Sequence, residues 1–224
     1  MGTNKHWLEV TLDNFFKDSA VKASKYGHDG YFHPSQAGMC PRALWYMFTK
    51  HIPEPTHFLG QKQLLLGTSI HEVMERAFRG SRILYRAEER IQTSPIDLFK
   101  EEIDVPIRGT FDMIVERPYD KKEYLVEIKS HKSSLKDKIG LEHDGTSIGP
   151  WEDLLKPYYE HILQWQLYSL MTNINEGCIL YVNKNDMRFR IFEQQRDDDI
   201  ILDILKKFEL VLQYVKDAIL FPFQ

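Results

Sequence analysis

The stretch Val105-Pro-Ile-Arg-Gly-Thr-Phe-Asp-Met-Ile-Val-Glu-Arg-Pro-Tyr-Asp-Lys-Lys-Glu-Tyr-Leu-Val-Glu-Ile-Lys-Ser130 decides the fold of this chain. Two β-rich runs, Ile107 to Glu116 and Glu123 to Ser130, flank a turn at Arg117 to Lys122 in which Pro118 and Asp120 punctuate the backbone. The pattern predicts a hairpin. Side chains alternate along a strand, so Leu125, Glu127 and Lys129 fall on one face and Val126 and Ile128 on the other. A carboxylate and an ammonium thus sit side by side in a largely apolar strand. In the partner strand Asp112 lies near Gly109, where the missing side chain allows another group to come close to the backbone.

Upstream of the hairpin, Leu8, Leu12, Phe15, Phe16 and Ala20 recur at helical spacing between Trp7 and Lys25, and Gly27 to Pro34 reads as a loop. Pro41 suits the first turn of a short helix through Phe48, with Arg42 and Tyr46 on one face. Ser35 and Arg42 have the chemistry to hold a phosphate at that helix start, while Cys40, Leu44, Trp45 and Phe48 read as core. Gly67 opens a further helix: Ser69 and Glu72 have the spacing of a capping box, and Ile70, Val73, Met74, Ala77 and Phe78 form its apolar stripe. His71 then sits in the first turn, with Glu75 one turn on. Arg76, Arg79, Arg82, Arg86 and Arg90 follow as a basic run, by default a solvated face and more sharply a nucleic-acid contact.

Downstream, His131 to Trp151 is rich in Lys, Ser, Gly and Asp and reads as a long mobile loop, where Lys132, Lys136 and Lys138 would either steer a phosphate backbone or remain solvated. Pro157 to Met171 is a well-buried helix whose Gln164 and Tyr168 lie one turn apart. A buried glutamine needs partners. Holding a carboxylate of the site and reaching a nucleic acid are both open to it. Cys178 to Asn183 is a short continuous apolar strand suited to a central position, Arg188 to Glu193 alternates as a returning edge strand, and Asp197 opens a final amphipathic helix to about Leu220.

With 224 residues, of which 42% are hydrophobic, the chain can build one substantial core. No run approaches the roughly 18–20 apolar residues of a membrane span, and the N-terminus lacks the apolar stretch of a signal peptide. The expectation is a soluble intracellular protein, in the cytoplasm of a bacterium or of a virus-infected cell, with an organelle left open. Cys40 and Cys178 are the only cysteines, too few for a zinc ribbon or a four-cysteine cluster. A net charge of −4 argues against coating nucleic acid by bulk charge but leaves room for a local basic groove.

The hairpin carboxylates suggest a chemistry. Mg²⁺ and Mn²⁺ prefer carboxylate oxygen, backbone carbonyl and water, and Asp112, Glu127 and the carbonyl of Ile128 offer part of such a sphere. Lys129 stands beside it, able to orient an attacking water or to stabilise a pentavalent phosphate. An E-x-K pair on a strand is common, and alone it reads as a neighbouring ion pair on a solvated sheet face. His71, on a helix start that can face the hairpin, is a candidate further ligand.

Four blocks in order, G-T-S-I-H-E (Gly67 to Glu72), I-R-G-T-F-D (Ile107 to Asp112), V-E-I-K-S (Val126 to Ser130) and H-I-L-Q-W-Q-L-Y (His161 to Tyr168), resemble the RecB-like branch of the PD-(D/E)xK nuclease superfamily. That branch includes nuclease domains of bacterial recombination helicase-nucleases, CRISPR-associated adaptation nucleases and mitochondrial genome maintenance exonuclease. The resemblance implies an α/β fold with a restriction-endonuclease-like core: a mixed central sheet flanked by helices, with residues 1–60 as an N-terminal helical addition, 61–195 as the core and 196–224 as a C-terminal helix of one nuclease domain. It implies His71, Asp112 and Glu127 as ligands of Mg²⁺ or Mn²⁺ and Lys129 as the catalytic lysine. Gln164 and Tyr168 match the family's Q-x-x-x-Y element, associated with the active site and DNA.

Ser35, Cys40, Pro41, Arg42 and Tyr46 resemble the C-P-R-x-x-x-Y block of relatives that bind an iron–sulfur cluster, but the later three cysteines of those relatives are absent, so no cluster is expected. The expectation is a metal-dependent deoxyribonuclease, an exonuclease acting on DNA ends or single strands, with replication or recombination proteins as possible partners. A flap or junction endonuclease and a DNA-binding module without turnover are the alternatives.

Overall fold

The computed structural model describes residues 29–49, 58–93, 96–98, 101–131 and 151–217, together with 10, 11 and 14. The expected helix Trp7 to Lys25 lies almost wholly outside them, and the expected loop with Lys132, Lys136 and Lys138 does so at 132–150. In chain order the elements are α1 (Pro41–Thr49), α2 (Phe58–Gly80), β1 (Leu84–Thr93), β2 (Ile96–Leu98), β3 (Glu101–Ile103), β4 (Ile107–Glu116), β5 (Glu123–His131), α3 (Tyr159–Thr172), β6 (Glu176–Asn183), β7 (Phe189–Gln195) and α4 (Asp198–Lys216). The expected hairpin is β4 and β5, closed by the Arg117 N–H donating to the Lys122 carbonyl.

Strands β1-β4-β5-β6-β7 form one mixed sheet, antiparallel throughout except for the parallel β5–β6 pair, and β2 and β3 form a small separate ribbon. Alternation along the strands sorts their side chains between two helical layers. Val126 and Ile128, with Met113, Cys178 and Leu180, pack under Ile70 and Met74 of α2. On the opposite face Leu125, Phe111, Ile114 and Ile179 pack against Trp165 and Tyr168 of α3. Beyond α3 a further apolar layer joins Leu163 and Leu167 to Leu44 and Trp45 of α1 and to Ile201, Leu205 and Phe208 of α4. Asp197 caps α4, its carboxylate accepting from the amides of Asp199 and Ile200. Among the described residues no helix is long and apolar enough to cross a membrane.

Helix α2 departs from the sequence expectation. It starts at Phe58, so His71 is in mid-helix, and Ser69 caps nothing: its hydroxyl donates to the Leu65 carbonyl within the helix. Only Ile70, Met74 and Phe78 of the expected stripe pack on the sheet, whereas Val73 is 43% exposed and Ala77 lies on the same solvent flank. Gly67 is a helix-interior residue, and a Cβ there would stand 3.3 Å from the Ser130 hydroxyl, so its absence lets α2 run close over β5.

The feature that makes a site is the parting of β4 from β5. Their pairing runs from Glu116↔Glu123 to Met113↔Val126. Beyond it the Asp112 carboxylate takes over the link, Oδ2 accepting from the Ile128 N–H at 2.6 Å. On the vacated side of β4 the chain at Phe32 comes in: its N–H donates to Pro106 and its carbonyl accepts from Arg108, both at 2.9 Å. Gly109 is where this closes tightly, since an added Cβ would meet Pro34 Cδ and Tyr168 Cε1 at 2.8 Å. Gly109→Ala is therefore expected to destabilise the fold by about 1–3 kcal/mol through overpacking. Denaturant titration measures it, and an unchanged midpoint would show that Pro34 and Tyr168 give way freely.

Candidate active site

Where the strands part, groups from both faces of the sheet reach one cleft of about 940 Å³. Along α2 the row Gln63, Gly67, His71 and Glu75 lines one wall, as residues four apart must on a helix. Asp112, Glu127, Ile128 and Lys129 form the floor, and His161, Gln164 and Tyr181 line it from α3 and β6.

Glu127 is buried and Lys129, two residues along the same strand face, points the same way: Nζ lies 2.9 Å from Glu127 Oε1. Gln164 clamps the pair, donating from Nε2 to Glu127 Oε1 at 2.6 Å and accepting from Lys129 Nζ at 2.8 Å. Of the two roles open to Gln164 in the sequence, the geometry supplies the first, a hold on the carboxylate. Burial pushes the Glu127 carboxyl upward, and the Asp112 charge adds to this against the pull of Lys129. Burial works against the Lys129 ammonium, but Glu127 outweighs it and raises the lysine above its ordinary range, so the side chain stays charged.

His71 Nδ1 lies 3.3 Å from Asp112 Oδ1 and 3.8 Å from Glu88 Oε1. Burial disfavours the imidazolium here, yet the Asp112 contact prevails and raises the imidazole above its usual range. One ligand atom from each of His71, Glu88 and Asp112 lies within 4.8 Å of the others, a set able to hold a cation. This grouping differs from the one the sequence suggested, because Glu88 stands in it and the clamped Glu127 does not. Glu88 lies in β1 with φ +52, a left-handed conformation, two residues beyond Arg86, where a shift in register from Leu84 ends. Its own carboxyl is raised, first by burial and then by Asp112. Nothing in Tyr85-Arg86-Ala87-Glu88 announces it.

The other expected site residues sit elsewhere. Glu75 lines the cleft but pairs with Arg79 at 2.5 Å. Tyr168 is buried behind the floor, its hydroxyl donating to the Thr110 carbonyl at 2.7 Å, so it braces β4 beside Asp112 and does not line the cleft. Ser35 and Arg42 are outside the cleft as well; Arg42 stacks over Tyr46, 5.8 Å from the ring centre. The arginine run does not form one face: Arg79 ends α2, Arg82 is in a turn, and Arg86 pairs with Glu89 in β1.

No protein-family profile and no curated protein sequence matches the chain. Solved structures do. The crystal structure of SSO0001 matches with a TM-score of 0.56 at 18% identity, covering 90% of this chain and 87% of that one. An alkaline exonuclease, LHK-Exo from Laribacter hongkongensis, matches with a TM-score of 0.47 at 16% identity over 90% of this chain and 93% of its own. A phage-related exonuclease from Haemophilus somnus 129PT matches with a TM-score of 0.46 at 12% identity, over 92% and 97%. The first likeness is one of fold, spanning nearly the whole of both chains.

Proposed function

We propose that the chain is a divalent-metal-dependent deoxyribonuclease, hydrolysing phosphodiester bonds at DNA ends or in single strands. The observation that carries this is the convergence in one cleft of a clamped Glu127–Lys129–Gln164 triad with the His71, Glu88 and Asp112 ligand set. Hard oxygen donors with one imidazole fit Mg²⁺ or Mn²⁺. His71, Glu88 and Asp112 would hold one ion, and Asp112 with Glu127 and the Ile128 carbonyl offer the ligands of a second. Such a cation, when bound, neutralises the phosphoryl oxygens and activates a water.

The chain's own groups do the rest. Gln164 holds one Glu127 oxygen and the lysine in place, so that the ammonium is fixed before substrate arrives. Lys129, held charged by Glu127, acts as a donor to the phosphoryl or leaving oxygen and not as a base. Asp112, tied to the Ile128 amide, links β4 to β5 where their backbone pairing stops. The preference for ends or single strands is supported by the sequence resemblance.

The test is cleavage of end-labelled single- and double-stranded DNA with Mg²⁺ or Mn²⁺, with and without EDTA. Shortened products are expected only with metal, and circular single strands are expected to remain intact. Cut circles would make the enzyme an endonuclease, and intact DNA with every substrate and metal would leave a module without turnover.

A further inference from the structure

One histidine in the cleft belongs to neither the ligand set nor the triad. Tyr181 in β6 is 1% exposed. Its hydroxyl oxygen accepts from the Tyr158 backbone N–H at 3.0 Å and lies 2.6 Å from His161 Nδ1. Among the described residues the phenolic proton has no other acceptor. If Nδ1 carried the ring proton, the Tyr181 hydroxyl would be a buried donor without an acceptor among the described residues, which is costly. The satisfied arrangement sends the Tyr181 proton to Nδ1, which places the ring proton on Nε2. Nε2 has no partner among the described residues, and the ring lines the cleft with Lys129. Burial, and then the Lys129 charge, push the imidazole down to about 3, so it is uncharged at any ordinary pH.

We propose that His161 is a substrate-contacting residue, its Nε2–H fixed by the Tyr158–Tyr181 relay and donating to a non-bridging oxygen of a nucleic-acid phosphodiester on the Lys129 side of the cleft. This rests on the reading of the cleft as a nuclease site. A neutral donor suits that position for a physical reason. A second cation beside Lys129 would be repelled by it and would pair with Glu127, closing the cleft on itself, whereas an uncharged N–H leaves the carboxylates free and still recognises an anionic oxygen. A merely structural role, tying α3 to β6, needs only the Nδ1 end of the ring.

The test uses the full chain with Ca²⁺ to hold substrate without turnover. Imidazole ¹⁵N NMR is expected to show the Nε2–H tautomer in the wild type, and single-stranded oligodeoxynucleotide to shift that resonance. In fluorescence anisotropy His161→Ala is expected to bind about tenfold more weakly, as loss of a hydrogen bond to a charged group implies. A set of oligonucleotides each carrying one methylphosphonate should contain one that binds the wild type about tenfold more weakly and is not further penalised in His161→Ala. A structural role would make those losses add. An Nδ1–H tautomer, additive losses at every position, or wild-type binding by His161→Ala would overturn the contact. Cleavage by the wild type with Mn²⁺ separates the two failures: if the wild type cleaves, only the His161 contact falls, and if it neither binds nor cleaves, the nuclease reading falls and takes the contact with it.

Discussion

Lys129→Ala is expected to lower the cleavage rate roughly 10³-fold, the scale on which a fixed electrostatic donor acts at a developing charge. Two effects combine in that loss. The direct one is the removal of an ammonium that Glu127 and Gln164 hold 2.9 and 2.8 Å away. The indirect one falls on Glu127: burial and Asp112 already raise its carboxyl, and Lys129 is the first of the groups that oppose them. Without the lysine the buried carboxyl takes up a proton more readily and becomes a poorer ligand. The variant should therefore bind Mn²⁺ more weakly than the wild type, a difference that rises as pH falls, measured by the free-ion signal in electron paramagnetic resonance. Gln164 still donates to Glu127, so the fold is expected to persist, as circular dichroism would check. Cleavage within tenfold of the wild type would remove Lys129 from the mechanism.

The hairpin, α3, β6, β7 and α4 were all legible in the sequence: α4 by apolar residues at helical spacing, the hairpin and β7 by alternation, and α3 and β6 by apolar runs of helix and strand length that are buried nearly all round. Strand β1 was not. It lies at the sheet edge and reads Tyr-Arg-Ala-Glu-Glu-Arg from Tyr85 to Arg90, so charge hides its period, and the same residues suggested a basic run. Helix α2 misled in the other direction: Gly67 and the Ser69/Glu72 spacing imitate a helix start, but the glycine is there for the close pass over Ser130. For the cleft, Asp112, Glu127, Lys129, His71 and Gln164 could be picked out as residue types at familiar spacings. Glu88 could not, since its place depends on a left-handed backbone and on the shifted register near Leu84, which are properties of the assembled sheet. Ser35 and Arg42 show the converse, a motif whose residues lie outside the cleft.

The second large effect concerns Asp112, where activity and stability are expected to move in opposite directions. Asp112→Asn should abolish cleavage, because an amide oxygen is a weak ligand and this carboxylate stands between the His71–Glu88 group and Glu127. It should also abolish the rise in melting temperature that Mn²⁺ gives the wild type through binding to the folded state. Without metal the same variant is expected to melt no lower than the wild type. The Asn oxygen can still accept from the Ile128 amide, now held at 2.6 Å, so the parted strands keep their link. The charge that pushes both Glu127 and Glu88 upward is gone, and against it stand the lost His71 contact and the lost attraction of Asp112 for the Lys129 ammonium. Asp112→Ala differs in one respect that decides the sign: it leaves the Ile128 N–H without its acceptor, at about 1–3 kcal/mol. For a chain of this size each kcal/mol is worth roughly 2–4 °C. The order of metal-free melting temperatures should thus be Asn at or above wild type and Ala clearly below. Differential scanning calorimetry in EDTA reads it directly. An Asn variant that melts with the Ala variant, or that still cleaves at a tenth of the wild-type rate, would show that Asp112 is a structural carboxylate and that the cation site lies elsewhere.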